Sequence, residues 1–147
     1  MRRYKCNFDG AVFAQQSKVG WGAVIRDHMG NFIVAFTSYG HGVFNLKMTE
    51  GLGFKEVLSW LIEQNISNVD VETDCLDLVH AFNSTYEDIF EFGSLLNVCK
   101  RIGGSINGFT FAWVRRQANV VAHLLANAST SYAYPKFWSM PLFIHDA

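Results

Sequence analysis

Apolar and polar residues alternate from Tyr4 to Asp9, with Tyr4, Cys6 and Phe8 on one side and Lys5, Asn7 and Asp9 on the other. A period of two is the mark of a strand, so Asp9 is expected to project from a sheet face. The stretches Trp21 to Arg26 and Phe32 to Thr37 are rich in β-branched and aromatic residues, and Asp27-His28-Met29-Gly30-Asn31 between them carries the residues of a hairpin turn. After a glycine-containing loop from Tyr39 to Lys47, Thr49 is expected to cap a helix in which Leu52, Val57, Leu58, Leu61 and Ile62 keep helical spacing, with Glu50 in its first turn. Alternation returns from Asn68 to Asp74 and places Asp74 at a strand end, before a short helix over Leu76 to Phe82. A further helix within Ile89 to Arg101 is closed by Gly103-Gly104, and Phe109 to Val114 reads as the last strand. Asn119 is then expected to cap a helix that buries Val120, Val121, Leu124, Leu125 and Ala128.

The order is βββαβαβα, which predicts an α/β fold: a mixed five-stranded sheet with helices on its faces. No internal repeat is visible. The tail from Ser129 to Ala147 holds Tyr132, Tyr134, Phe137, Trp138 and Phe143, too apolar for a solvated linker, and is expected to dock on the domain or on a protein partner.

Composition narrows the class. A chain of 147 residues, half of them hydrophobic, fits one domain with a single core, spanning 1–147 with its main body over about residues 5–128. Twelve basic and thirteen acidic residues leave a net charge of −1, so contact with nucleic acid would rest on local basic clusters. Cys6, Cys75 and Cys99 are odd in number and widely spaced, which argues against a disulfide framework and a zinc site and for a reduced, intracellular setting in cytoplasm or nucleus. No apolar run reaches the ~18 residues of a membrane span. The basic start leads straight into a strand rather than into an apolar signal core, so the chain is a candidate domain of a longer protein.

Asp9, Glu50 and Asp74 come from three distant segments, yet each sits at the edge of a regular element. Hydrolysis of a phosphodiester by two divalent cations about 3.5–4 Å apart needs carboxylates that converge in this way. Each acid also has a structural reading when taken alone: Glu50 as an acid complementing a helix N-terminus, Asp9 before Gly10 as a strand end, Asp74 as a helix cap.

The words around these acids separate the readings. Phe8-Asp9-Gly10-Ala11, Gly20-Trp21-Gly22-Ala23-Val24-Ile25-Arg26-Asp27 with Gly30, Thr49-Glu50-Gly51, Glu72-Thr73-Asp74-Cys75 and Arg115-Arg116-Gln117-Ala118-Asn119-Val120-Val121-Ala122-His123 resemble the ribonuclease H-like domain of plant proteins and retrotransposon-derived reading frames, over about Lys5 to Ala128. The ending Met140-Pro141-Leu142-Phe143 with Asp146 resembles the tail of that group. The resemblance implies a ribonuclease H-like fold, cleavage of the RNA strand of an RNA–DNA hybrid, and Mg²⁺ held by four acids. Asp9, Glu50 and Asp74 match three of the four.

At the fourth position stands His123, four residues after Asn119. Imidazole suits Mn²⁺ better than Mg²⁺ and brings no negative charge, so the second of two cations is expected to bind more weakly. His123 also reads as a hydrogen-bonded helix residue that ligates nothing. Glu72, on the strand face of Asp74, is either a compensating acid or a salt-bridged strand residue. The family's longer histidine-containing loop before the last helix is missing, since only Val114 to Ala118 separate the strand from Asn119. The segment with Glu87, Asp88 and Glu91 is acidic where some members carry a basic protrusion that grips substrate. Arg115, Arg116 and Asn119 are the expected contacts to nucleic acid, with Lys100-Arg101 and Arg2-Arg3-Lys5 as further basic clusters. Trp21 reads either as a stacking platform for a base or as a core aromatic.

Overall fold

The computed structural model describes residues 2–84 and 91–139. Glu87 and Asp88 of the acidic segment, and Met140 to Asp146 of the tail, lie outside the described residues. Strands β1 (Tyr4–Phe13), β2 (Lys18–Arg26) and β3 (Phe32–His41) form an antiparallel meander, followed by helix α1 (Leu46–Glu63), strand β4 (Val69–Thr73), helices α2 (Leu76–Asn83) and α3 (Glu91–Gly104), strand β5 (Thr110–Trp113), helix α4 (Val120–Ala128) and strand β6 (Lys136–Ser139). Among the described residues the sheet has six strands in the order β5-β4-β1-β2-β3-β6.

This is the expected α/β class with one correction: six strands, not five. The sixth comes from the aromatic tail. β6 pairs antiparallel with the outer edge of β3, Phe137 opposite Phe36 and Trp138 opposite Ala35, so this part of the tail docks by capping an otherwise open sheet edge.

β1 shows why the middle of the sheet is apolar on both sides. Its first residues alternate, but Cys6 through Ala11 are all buried, because α1 packs against one face of the strand and α4 against the other. On the α1 side Phe8 stacks on Phe54 at 5.5 Å and Phe54 on Phe111 at 4.1 Å, and Cys6, Ile25, Leu58, Leu61, Val69 and Val71 close the core around them. Trp21 belongs to the interior as well. It is buried and donates its indole N–H to the carbonyl of Thr49 at 2.8 Å, which leaves no ring face for a base.

Three local expectations are corrected. Helix α1 starts a turn early, because Asn45 rather than Thr49 is the cap: Asn45 Oδ1 accepts the Met48 N–H at 2.8 Å. Glu50 therefore lies beyond the first turn. β1 does not end at Gly10 but runs on to Phe13, since Gly10 and Ala11 still pair with Trp21 and Gly20 of β2.

The third correction concerns α4. Ala122 and Ala126 are its buried residues, while Val120, Val121 and Leu124 are exposed, Leu124 at 61%. Gly20 and Gly22 explain the reversal. A Cβ on Gly22 would stand 2.5 Å from the backbone nitrogen of Ala126 and collide with Leu125, and one on Gly20 would strike Ser129. Without those side chains the helix backbone lies directly on β2, and only methyl-sized groups fit between them.

Candidate metal centre

Asp9 stands in the middle of β1 on the face opposite Cys6 and Phe8, and only 2% of it is exposed. Glu50 reaches it from α1, itself 3% exposed, and Asp74 follows directly after β4, the parallel neighbour of β1. One carboxylate oxygen from each of Asp9, Glu50 and Asp74 falls within 4.8 Å of the others. The fold thus brings together three acids separated by up to 65 positions in sequence.

Such crowding has an electrostatic cost that the surroundings only partly offset. Glu50 Oε1 accepts the backbone N–H of Gly10 at 3.2 Å, whereas the buried Oε2 has no hydrogen-bond partner. Burial, reinforced by the close approach and charge of Asp9, pushes the Glu50 carboxyl up to about 10. Burial and the charge of Asp9 also raise Asp74, against the opposing pull of Arg116. An orphaned buried oxygen and carboxyls held above their ordinary range are what an absent positive charge would leave behind. The donor set is all oxygen, suited to hard divalent ions such as Mg²⁺ and Mn²⁺. These residues fit such an ion.

His123 lies beside this cluster and touches one member of it. Its Nδ1 is 2.8 Å from Asp9 Oδ2, and its Nε2 is 3.0 Å from Asn127 Nδ2, one helical turn on. Both ring nitrogens are thus engaged, one by β1 and the other by the next turn of α4. Glu72 stays apart: Asn7 Nδ2 donates to it at 3.2 Å and Lys5 Nζ stands 3.7 Å away, so it is a salt-bridged strand residue.

Arg116 Nε donates to Asp74 Oδ2 at 3.2 Å from an otherwise exposed side chain, and Arg115 is exposed next to it. The six residues linking β5 to α4 hold both arginines at the rim of the acidic cluster. Asn119 departs from its expected role. It occupies the cap position of α4 without capping through its side chain, is 1% exposed, donates to the carbonyl of Phe8 at 2.8 Å and accepts from Asn7 Nδ2 at 3.1 Å. Both ends of its amide clamp α4 to β1, one residue from Asp9. Asn7, the other half of that clamp, went unnoticed in the sequence; its inward register with Asp9 was the available sign.

A mixed sheet with α1, α2 and α3 on one face, α4 on the other, and acids meeting over the central strand defines a ribonuclease H-like domain. Solved structures share the fold. Ribonuclease H1 of the archaeon Halobacterium salinarum superposes with a TM-score of 0.78 at 15% identity, over 88% of this chain and 98% of that one. The N-terminal ribonuclease H domain of Rv2228c from Mycobacterium tuberculosis gives 0.75 at 17%, over 88% and 94%. LC11-RNase H1, isolated from compost and solved in complex with an RNA/DNA hybrid, gives 0.75 at 18%, over 88% and 97%. No curated protein matches the chain in sequence. The chain belongs to the family described as Reverse transcriptase-like, which matches residues 7–129. Among the described residues no helix is long and apolar enough to cross a membrane.

Proposed function

We propose that this domain binds an RNA–DNA hybrid and hydrolyses its RNA strand, with Mg²⁺ or Mn²⁺ held by Asp9, Glu50 and Asp74. The observation that carries the proposal is the convergence of these three carboxylates in a ribonuclease H-like fold, with Glu50 Oε2 buried and unpartnered. A divalent cation, when bound, activates water and neutralises charge on the phosphate. Asp9, on the central strand, would hold a cation together with Glu50 and Asp74. His123 keeps the Asp9 carboxylate in place from α4, and because it adds no negative charge the second cation is held weakly. Arg116, released from Asp74, and Arg115 beside it are the groups that meet phosphates at the rim. The structural neighbour solved with a hybrid supports the choice of substrate.

Cleavage of a labelled hybrid tests the proposal. Mn²⁺ is expected to support it better than Mg²⁺, and Asp9→Asn to abolish it; full cleavage by Asp9→Asn would overturn the assignment.

A second reading, a catalytically silent domain kept for binding nucleic acid or protein, is favoured by the two internal pairs, His123 with Asp9 and Arg116 with Asp74. His123→Asp separates the two. A large gain of Mg²⁺-dependent cleavage marks a competent site short of one acid, whereas no gain and no heat of cation binding marks the silent domain.

A further inference from the structure

On the far side of the sheet edge, away from the acidic cluster, α1 and the paired strands β3 and β6 enclose a hollow of about 120 Å³. Its apolar wall is aromatic. Phe36 meets Trp60 edge to face at 4.5 Å and stacks with Phe137 at 6.0 Å, with Pro135 completing that side. Its rim is acidic. Glu56 and Glu63 both line the opening, seven residues or roughly 10.5 Å apart along one side of α1, and neither forms an ion pair among the described residues.

Trp60 adds an independent observation. It is only 4% exposed and lines the hollow, yet its indole N–H has no acceptor. A buried donor left unmade costs ~1–3 kcal/mol, so Trp60 stands beside the hollow with a polar atom still unmatched. Pro135 and Phe137 lie beyond the residues 7–129 matched by the family.

We propose that the hollow receives an arginine side chain of a partner protein. A guanidinium is planar and weakly hydrated, stacks on aromatic faces, and donates to carboxylates, which answers both the aromatic wall and the two glutamates. The volume suits one side chain and falls below the roughly 300 Å³ of pockets that take whole small-molecule ligands.

The test uses the full chain labelled with ¹⁵N and N-acetyl-arginine amide as the probe. Four tryptophans give four indole N–H signals, assigned through Trp60→Phe or, should that variant not fold, through contacts of the Trp60 ring with Phe36. The Trp60 signal is expected to move saturably with an affinity near 1 mM, more weakly as salt rises. The neutral analogue N-acetyl-citrulline amide should leave it in place, and the exposed double variant Glu56→Gln with Glu63→Gln should weaken binding about tenfold. A Trp60 signal that stays still up to ~10 mM, that moves equally with citrulline, or that moves equally in the double variant would overturn the proposal. Cation binding at Asp9, Glu50 and Asp74 is expected to be the same in the double variant.

Discussion

Cation binding to this site should expel a proton, and the Glu50 carboxyl sets how strongly. Buried and facing Asp9, Glu50 is pushed from an ordinary value of 4.5 up to about 10, so near pH 7 the cation-free site holds a proton on Glu50. A cation must displace it, across a gap of roughly three pH units worth at most ~4 kcal/mol. Two results follow. Isothermal titration calorimetry with Mn²⁺, run at pH 7 in buffers of different ionisation heat, should count about one proton released per bound ion, and the apparent Kd should tighten close to tenfold per pH unit between about pH 6 and 8. The stability of the cation-free protein carries the same linkage. Because the folded-state value lies above the unfolded one, the folded chain keeps a proton that the unfolded chain has lost. Stability from this group is thus complete below about pH 4.5 and declines as pH rises toward 10, by no more than ~1.4 kcal/mol per pH unit. Excess Mn²⁺ should flatten that decline, chelation should restore it, and Glu50→Gln should abolish both the slope and the proton release. Binding that releases no proton and does not vary with pH would refute the reasoning, because Glu50 would then already be ionised.

Asn119→Ala removes both halves of the buried clamp to Phe8 and Asn7 and should cost about 2–3 kcal/mol in urea unfolding, with α4 amides exchanging faster. Gly22→Ala forces a methyl against the Ala126 backbone and should lower stability by ~1–3 kcal/mol, measurable as a reduced Tm. Asn45→Ala deletes the side-chain cap of α1 and should cost about 1 kcal/mol; Thr49→Ala, if it cost the same with Asn45 intact, would show that the cap had been misplaced.

Strand and helix order was legible because hydrophobic period reports it directly: the first strand starts at Tyr4, the turn lies over Asp27 to Asn31, and β4 ends one residue before Asp74, although β1 runs four residues past Asp9. The same period misjudged α4. Five apolar residues at helical spacing were expected to face the core, but the contact surface was chosen by Gly20 and Gly22 on another strand, and it admitted Ala122 and Ala126 instead. β6 was invisible for a related reason. Lys136 to Ser139 is too short to show alternation, and its strand character comes from the free edge of β3.

At the candidate site the sequence by itself determined the residue types and their elements: Asp9 on a strand, Glu50 on a helix, Asp74 at a strand end, His123 on the last helix. Local periodicity and motif spacing carry that much. Only the tertiary structure decided what those residues do to one another. It brought the three carboxylates within 4.8 Å, left one Glu50 oxygen unpartnered, set His123 on Asp9 and Arg116 on Asp74, and turned Asn119 inward as a clamp. Charge, burial and hydrogen bonding depend on distances between segments far apart in the chain. Those distances are properties of the packed sheet and helices, and no local stretch of sequence contains them.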